Sequence, residues 1–102
     1  MSDKTIESVC RQIVEKFSPE RIILFSRKNS PSNVLSSFKL CVIIDGGDPD
    51  MTEHDIYMDI DCAVPFDALV YTSSDFDGLS GRSGSFARRI AEEGSVLYER
   101  PE

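Results

Sequence analysis

Residues 21–45 read RIILFSRKNSPSNVLSSFKLCVIID, and this stretch decides the fold. It contains two short runs rich in β-branched and aromatic residues, RIILFS (21–26) and FKLCVIID (38–45), each bounded by turn-forming residues. Such runs predict strands. Their almost continuous apolar character indicates that both faces of the sheet are covered. The Pro- and Ser-rich residues 30–37 between them predict a loop.

The segment before this stretch predicts an amphipathic helix over residues 4–17. Its apolar side chains recur every three or four positions, which places them on one helical face. They are Ile6, Val9, Cys10, Ile13, Val14 and Phe17. Ser18 and Pro19 end the helix, because the residue before a proline is biased away from helical geometry.

The segments after it predict a second helix and a third strand. Residues 52–64 carry Ile56 and Ile60 on a helical spacing, and the pair Thr52 and Asp55 is typical of a helix start. Pro65 ends this helix. FDALVYT (66–72) is predicted to be a strand.

The last third of the chain predicts a loop, a helix and a strand. Gly78, Gly81 and Gly84 indicate a flexible loop, for which anion binding at the next helix is the alternative. SFARRIAEEG (85–94) predicts a helix with Phe86, Ala87, Ile90 and Ala91 on one face, and SVLYE (95–99) predicts the closing strand.

The order of elements, α-β-β-α-β-α-β, predicts a single α/β or α+β domain over residues 1–102, with a small mixed sheet flanked by helices. The RIILF, LCVII and ALVY strands are expected to be neighbours. The first and last helices are expected to pack on them through Ile6, Val9, Ile13, Phe17, Phe86 and Ile90.

Composition narrows the classes of function. The chain carries 11 Lys and Arg against 18 Asp and Glu, a formal charge of −7, which repels a phosphate backbone and disfavours nucleic acid as a partner. Its apolar runs are far shorter than the roughly 18 residues of a membrane span. No Lys- or Arg-led apolar stretch opens the chain, so a cytoplasmic location is expected.

The potential metal ligands are sparse. Cys10, Cys41 and Cys62 are widely spaced in apolar stretches, as reduced core cysteines are, and His54 is the only histidine. The acidic pair Asp59 and Asp61 lies in the predicted second helix, where residues two apart diverge. No zinc or other metal site is expected from these residues.

The order of elements resembles that of the minimal nucleotidyltransferases of the DNA polymerase β superfamily, and the closing EEGSVLYE is similar to the usual end of that family. In the family, a Leu-Phe-Gly-Ser turn follows the first strand, an Asp-x-Asp opens the second and a third Asp opens the next. The three carboxylates hold Mg²⁺, and the turn brings backbone amides to the phosphates.

The resemblance implies that most of these site residues are replaced. Ser26 and Arg27 follow Leu-Phe, so the glycine is missing; Ser37 and Lys39 stand at the two positions of the Asp-x-Asp motif, and Asp67 matches the third carboxylate. One carboxylate beside an ammonium does not hold Mg²⁺. The vestigial site therefore implies no catalytic residue and no resident metal or cofactor. A hypothesis that follows is that Lys39 lies beside Asp67 in place of the metal.

Each of these residues also has a plain structural interpretation. Ser37 and Lys39 could belong to an ordinary strand edge with an outward lysine, and Asp67 could cap the start of a strand.

Three functional hypotheses remain open beside these interpretations. By resemblance, the first is an inactive domain that binds a partner, either an all-helical HEPN-type protein as in toxin and antitoxin pairs or a second copy of itself.

The second hypothesis is an active enzyme that uses Mg²⁺ and ATP or another nucleoside triphosphate to transfer a nucleoside monophosphate to a protein or small molecule. The third is a metal-free nucleotide sensor in which Ser26, Arg27 and Lys28 donate to phosphates.

Overall fold

The computed structural model describes residues 4–101. In chain order their elements are α1 (Lys4–Phe17), β1 (Arg21–Asn29), β2 (Leu35–Ile44), α2 (Pro49–Asp59), β3 (Phe66–Thr72), α3 (Ser73–Ser80), α4 (Phe86–Glu93) and β4 (Ser95–Glu99). The strands form one mixed sheet in the order β3-β2-β1-β4. β1 runs antiparallel to β2 and β4, and β2 runs parallel to β3. The predicted α+β class and the adjacency of the first three strands are confirmed.

Helices cover both faces of the sheet, as the apolar strands predict. On one face, the α1/α2 face, buried residues of α1 and α2 pack on alternate residues of the strands. On the other, the α3/α4 face, Phe76 of α3 and Ala87 and Ile90 of α4 pack on Ile23, Cys41 and Ile43. Because strand residues alternate between faces, β2 supplies one apolar set to each layer.

The predicted helical stripes are confirmed for α1 and only partly for α4. Ile6, Val9, Cys10 and Ile13 are buried, and Phe17 packs against the same cluster while partly exposed. In α4 the buried residues are Ala87 and Ile90. The prediction was wrong for Phe86 and Ala91, which are exposed, because the short helix turns only one narrow stripe toward the sheet.

The β1–β2 hairpin is longer than the sequence predicts. β1 continues to Asn29, and β2 begins at Leu35 rather than at residue 38. Only residues 30–34 form the turn, in which Asn33 adopts a left-handed conformation and the Ser30 N–H donates to the Val34 carbonyl at 2.7 Å. Asparagine tolerates that conformation well. Antiparallel pairing thus extends through polar residues that by composition resemble a loop.

α2 begins and ends earlier than predicted. The Asp48 carboxylate accepts hydrogen bonds from the backbone of Asp50 and Met51, and Pro49 occupies the first helical turn, so Asp48 is the N-cap and Thr52 is not. The helix stops at Asp59. There the Gln12 side chain from α1 donates to the Asp61 carbonyl and accepts from the Asp61 N–H, both at 3.0 Å. These tertiary bonds hold the chain extended where the sequence predicted more helix.

α3 lies where the sequence predicted the start of a glycine loop. The Thr72 hydroxyl accepts from the Asp75 N–H, a cap that begins the helix, and Phe76 is buried against the sheet. Burial of this ring outweighs the cost of Gly78 in the helix, about 1 kcal/mol. The loop itself is shorter and covers residues 81–85.

The two edges of the sheet differ. At β3, the Tyr57 hydroxyl from α2 accepts a hydrogen bond from the backbone N–H of Ala68 at 2.9 Å, so that edge amide is already paired. At the other edge, β4 pairs only with β1, and all of its residues except Tyr98 are exposed. Of the two edge strands, β4 is therefore the more exposed.

The cysteines lie in three different places. Cys10 is buried in α1, Cys41 is buried in β2 and Cys62 is half-buried after α2. Burial raises the pKa of the Cys41 thiol to about 12, in spite of the nearby Arg21 guanidinium.

None of the helices in residues 4–101 combines the length and the apolar character that crossing a membrane requires.

Candidate functional site

A row of polar side chains crosses the sheet on the α3/α4 face. Ser26 of β1 lies opposite Lys39 of β2, and Lys39 lies opposite Asp67 of β3. Lys28 and Ser37 form the next cross-strand pair on the same face. Neighbouring strands are about 4.8 Å apart, so the register brings four residues of the vestigial site, Ser26, Ser37, Lys39 and Asp67, into one patch together with Lys28.

The patch lies beyond the part of this face that α3 and α4 cover. Lys39 shares its side of β2 with buried Cys41, yet Lys39 and Asp67 are exposed, while Ser26 and Ser37 are half-buried. Within residues 4–101, Lys39 and Asp67 form no ion pair within 4.0 Å. Their backbones are neighbours in the sheet, but the Lys39 ammonium does not pair with the Asp67 carboxylate, so the hypothesis that it lies beside Asp67 in place of the metal was wrong.

The patch offers little to a cation. Asp67 is its single carboxylate, Lys39 lies opposite Asp67 on the next strand, and Lys28 adds a second positive charge to the patch from β1. Mg²⁺ prefers several anionic oxygen ligands at short range. Across residues 4–101, no group of three His, Cys, Asp or Glu side chains is placed to hold a metal ion.

Arg27 and the expected phosphate turn are placed differently from the prediction. The chain at Ser26 is strand rather than turn, with an irregularity at Phe25 where the register shifts between Leu24 and Ser26. Arg27 lies opposite Phe38, which faces α1 and α2. Ser26 and Lys28 therefore share one face of the sheet and Arg27 the other, so the three do not form one set of phosphate donors.

A second surface, the α1/β4 groove, opens on the α1/α2 face. It is a cleft of about 840 Å³ between α1 and β4, with Arg27 among its lining residues. Its apolar lining from the helix and the neighbouring strands is Ile6, Cys10, Val14, Leu24, Val96, Leu97 and Tyr98. This groove was not predicted from the sequence, and no pattern in the sequence indicates it.

A third cluster anchors the end of β4. The Arg100 guanidinium donates to the Asp45 carboxylate and to the Ser18 carbonyl, and the Arg100 N–H donates to the Glu20 carbonyl at 2.8 Å. The hydrogen bond from Arg100 lowers the pKa of Asp45. These bonds tie the chain end to the strand ends, and we assign them a structural role.

No protein-family model, no curated protein and no solved structure matches this chain.

Proposed function

We propose that this chain is a nucleotidyltransferase-like domain without metal-dependent catalysis, that it is cytoplasmic, and that it acts by binding a partner protein. The observation that carries the proposal is the register of β2 against β3, which sets Lys39 directly opposite Asp67. Those are the positions where the family that the sequence resembles holds metal ligands. An ammonium there repels the cation that nucleotidyl transfer requires.

The resemblance adds an expected class of partner. Minimal domains of that family are paired with all-helical HEPN-type proteins, and a helical protein is the partner that we propose here. The −7 charge of the chain suits a partner with a basic surface, since opposite charges speed association.

A metal-free anion sensor is the second candidate. Two observations favour it: Lys28 and Lys39 lie on the same face of the sheet, and the hydroxyl-bearing residues Ser26 and Ser37 lie between and beside them. Ammonium and hydroxyl groups donate to phosphate oxygens without a metal.

A nucleotide-binding test separates these functions. We expect ATP with Mg²⁺ to leave the melting temperature of the protein unchanged in differential scanning fluorimetry, because a ligand raises it only by binding the native state. A rise with ATP in EDTA would establish the sensor.

A transfer assay tests the inactive-domain proposal directly. We expect no incorporation of labelled nucleotide into protein or small-molecule acceptors with Mg²⁺ present. The matched variants are Asp67→Asn in the patch and Asp61→Asn at an exposed position after α2. Incorporation that is lost in Asp67→Asn and kept in Asp61→Asn would overturn the proposal.

Restoring the carboxylates should create a cation site. In the double variant Ser37→Asp, Lys39→Asp, two carboxylates stand two residues apart on β2 and Asp67 faces one of them at about 4.8 Å. We expect lower stability than wild type in EDTA, since like charges repel across strands, and a rise in melting temperature with Mn²⁺ that wild type lacks.

The control for this variant is Ser37→Asn, Lys39→Asn, which changes the same positions without adding carboxylates and should not respond to Mn²⁺. We expect no nucleotidyl transfer even in the restored variant, because β1 continues as strand through Ser26 and presents no glycine turn to phosphates. An unchanged melting temperature with Mn²⁺ would show that the β2–β3 register does not place the three side chains within reach of one ion.

A further inference from the structure

Two exposed methionines lie on the outer side of α2. Met51 is 58% exposed and Met58 is 71% exposed, whereas Ile56 and Ile60 are buried in the cluster beneath the helix. An α-helix turns by about 100° per residue, so positions seven apart lie within about 20° of each other around its axis. The two methionines therefore form one apolar stripe on the side of α2 that faces away from the sheet.

This stripe has the spacing of the residues through which two helices pack on each other. Met51, His54 and Met58, here named the α2 seam, are related as i, i+3 and i+7, and all three are exposed. These are the positions that face the partner helix in a coiled coil, and Asp50 and Asp55 stand at the positions that flank them. α2 has 11 residues, about 16 Å at 1.5 Å per residue. The periodicity and length of the seam match a helix of about three turns.

The charges around the seam have one sign. The sequence of α2, PDMTEHDIYMD, contains Asp50, Glu53, Asp55 and Asp59 and neither Lys nor Arg. Within residues 4–101, none of these four carboxylates forms an ion pair within 4.0 Å. Lys16 of α1 donates to the backbone carbonyl of Asp59 at 2.8 Å and not to a carboxylate. The acidic side chains of α2 are therefore open to cations from another molecule.

From these observations we infer that the α2 seam binds a basic amphipathic helix of a partner protein. The inference rests on the partner-binding function proposed above and names the surface that performs it. Apolar side chains of the incoming helix cover Met51 and Met58, whose unbranched thioether side chains adapt to the shape of a partner. Lys or Arg side chains beside them meet Asp50 and Asp55, which sets the orientation and register of the bound helix.

A second copy of this chain is a poorer occupant of the α2 seam. Two α2 helices packed on each other, parallel or antiparallel, place carboxylates beside carboxylates, because α2 has no Lys or Arg to oppose them. Like charges at this separation destabilise a helix pair. The charge of the seam therefore favours a different and more basic protein.

The probe is a fluorescein-labelled helical peptide of about 14 residues. It carries leucines at the spacing of the seam, lysines at the flanking positions, and alanine or glutamine elsewhere. The matched peptide has glutamates in place of the lysines. Fluorescence anisotropy should show saturable binding of the lysine peptide and binding of the glutamate peptide that is weaker by about tenfold or more, because only the lysine peptide complements the acidic flanks.

Apolar truncation in the protein tests whether the methionines carry the binding. The double variant Met51→Ala, Met58→Ala keeps every charge and should weaken the lysine peptide by about tenfold or more. Both side chains are exposed, so the variant keeps the core intact. The control is Val34→Ala, because Val34 is 63% exposed in the β1–β2 turn, away from α2. It should leave the affinity unchanged.

Charge removal tests whether the acidic flanks of the seam are specific. The double variant Asp50→Asn, Asp55→Asn should weaken the lysine peptide by about threefold or more. The matched control is Glu7→Gln, Glu15→Gln, which removes the same two charges from exposed positions of α1. It should leave the affinity nearly unchanged, since exposed charges more than about 8 Å away are screened at physiological salt.

Four results would overturn the inference. They are absence of saturable binding, equal affinity for the two peptides, equal weakening by a seam variant and its control, or a dimer in sedimentation that Met51→Ala, Met58→Ala dissolves, which would assign the seam to a second copy. If the peptide fails while the transfer assay is also negative, the seam inference fails and the partner-binding proposal stands with another surface. If Asp67-dependent transfer is found, the proposed function fails whatever the peptide does.

Discussion

Phe38→Ala is expected to lower the free energy of unfolding by about 3 to 5 kcal/mol, in the range measured for buried aromatic residues. Phe38 is 1% exposed in the cluster under α1 and α2, and its ring stacks on Phe66 with centroids 5.3 Å apart and planes 10° apart. Truncation leaves a cavity between β2 and the helices. Since a domain of this size is stable by about 5 to 15 kcal/mol, urea unfolding should show a large fall in the midpoint.

Phe86→Ala is the matched control for this substitution. Phe86 is 48% exposed and meets Phe25 edge-on, with ring centroids 5.5 Å apart. Losing that contact should cost about 1 kcal/mol. Equal losses in the two variants would contradict the assignment of Phe38 to the core.

Gly94→Ala is expected to destabilise the protein by about 2 to 3 kcal/mol for a reason that is steric and not conformational. Gly94 has a φ of −75°, which any residue can adopt. A Cβ at this position would lie 2.6 Å from the Ile90 carbonyl oxygen and 2.5 Å from Cγ2 of Ile23. The Gly94 N–H donates to that same carbonyl at 2.9 Å, so the backbone has little room to shift.

The contrasting variant is Gly78→Ala. Gly78 lies within α3, and no atom is within 4 Å of a Cβ built there. Alanine is the better helix former by about 0.5 to 1 kcal/mol, so this variant should be more stable than wild type. Opposite signs for the same chemical change, measured by urea unfolding, are the expected result; a neutral Gly94→Ala would mean that α4 and β4 can separate freely.

The layers of the fold could be predicted because they depend on local patterns. The period of the apolar residues in α1 and the β-branched runs of β1, β2 and β3 each reflect burial of one face or of both faces of an element. The ends of α2 could not be predicted in the same way. They depend on Gln12, which bonds to the backbone of Asp61 from 49 residues away, and on Lys16, which donates to the Asp59 carbonyl.

The candidate site was predictable in part for the same reason. Side chains alternate between the two faces of a strand, so Ser37 and Lys39 are predicted to share a face. This prediction needs the sequence of one strand alone. The placement of Arg27 depends on the register shift at Phe25, which is a property of two strands together. The α1/β4 groove could not be predicted from the sequence, because it depends on which part of the sheet the packed helices leave uncovered.

The paired amide at the outer side of β3 bears on how this protein could polymerise. A fibre that grows by pairing of edge strands requires an unpaired strand at both edges of the sheet, so that each added copy can bind the next one. Here the Tyr57 hydroxyl occupies the Ala68 N–H, and burial raises the pKa of that tyrosine, so the group stays neutral at physiological pH. A strand that added to β3 would therefore have to displace the Tyr57 hydroxyl from the Ala68 N–H, a cost that a strand added to β4 does not meet.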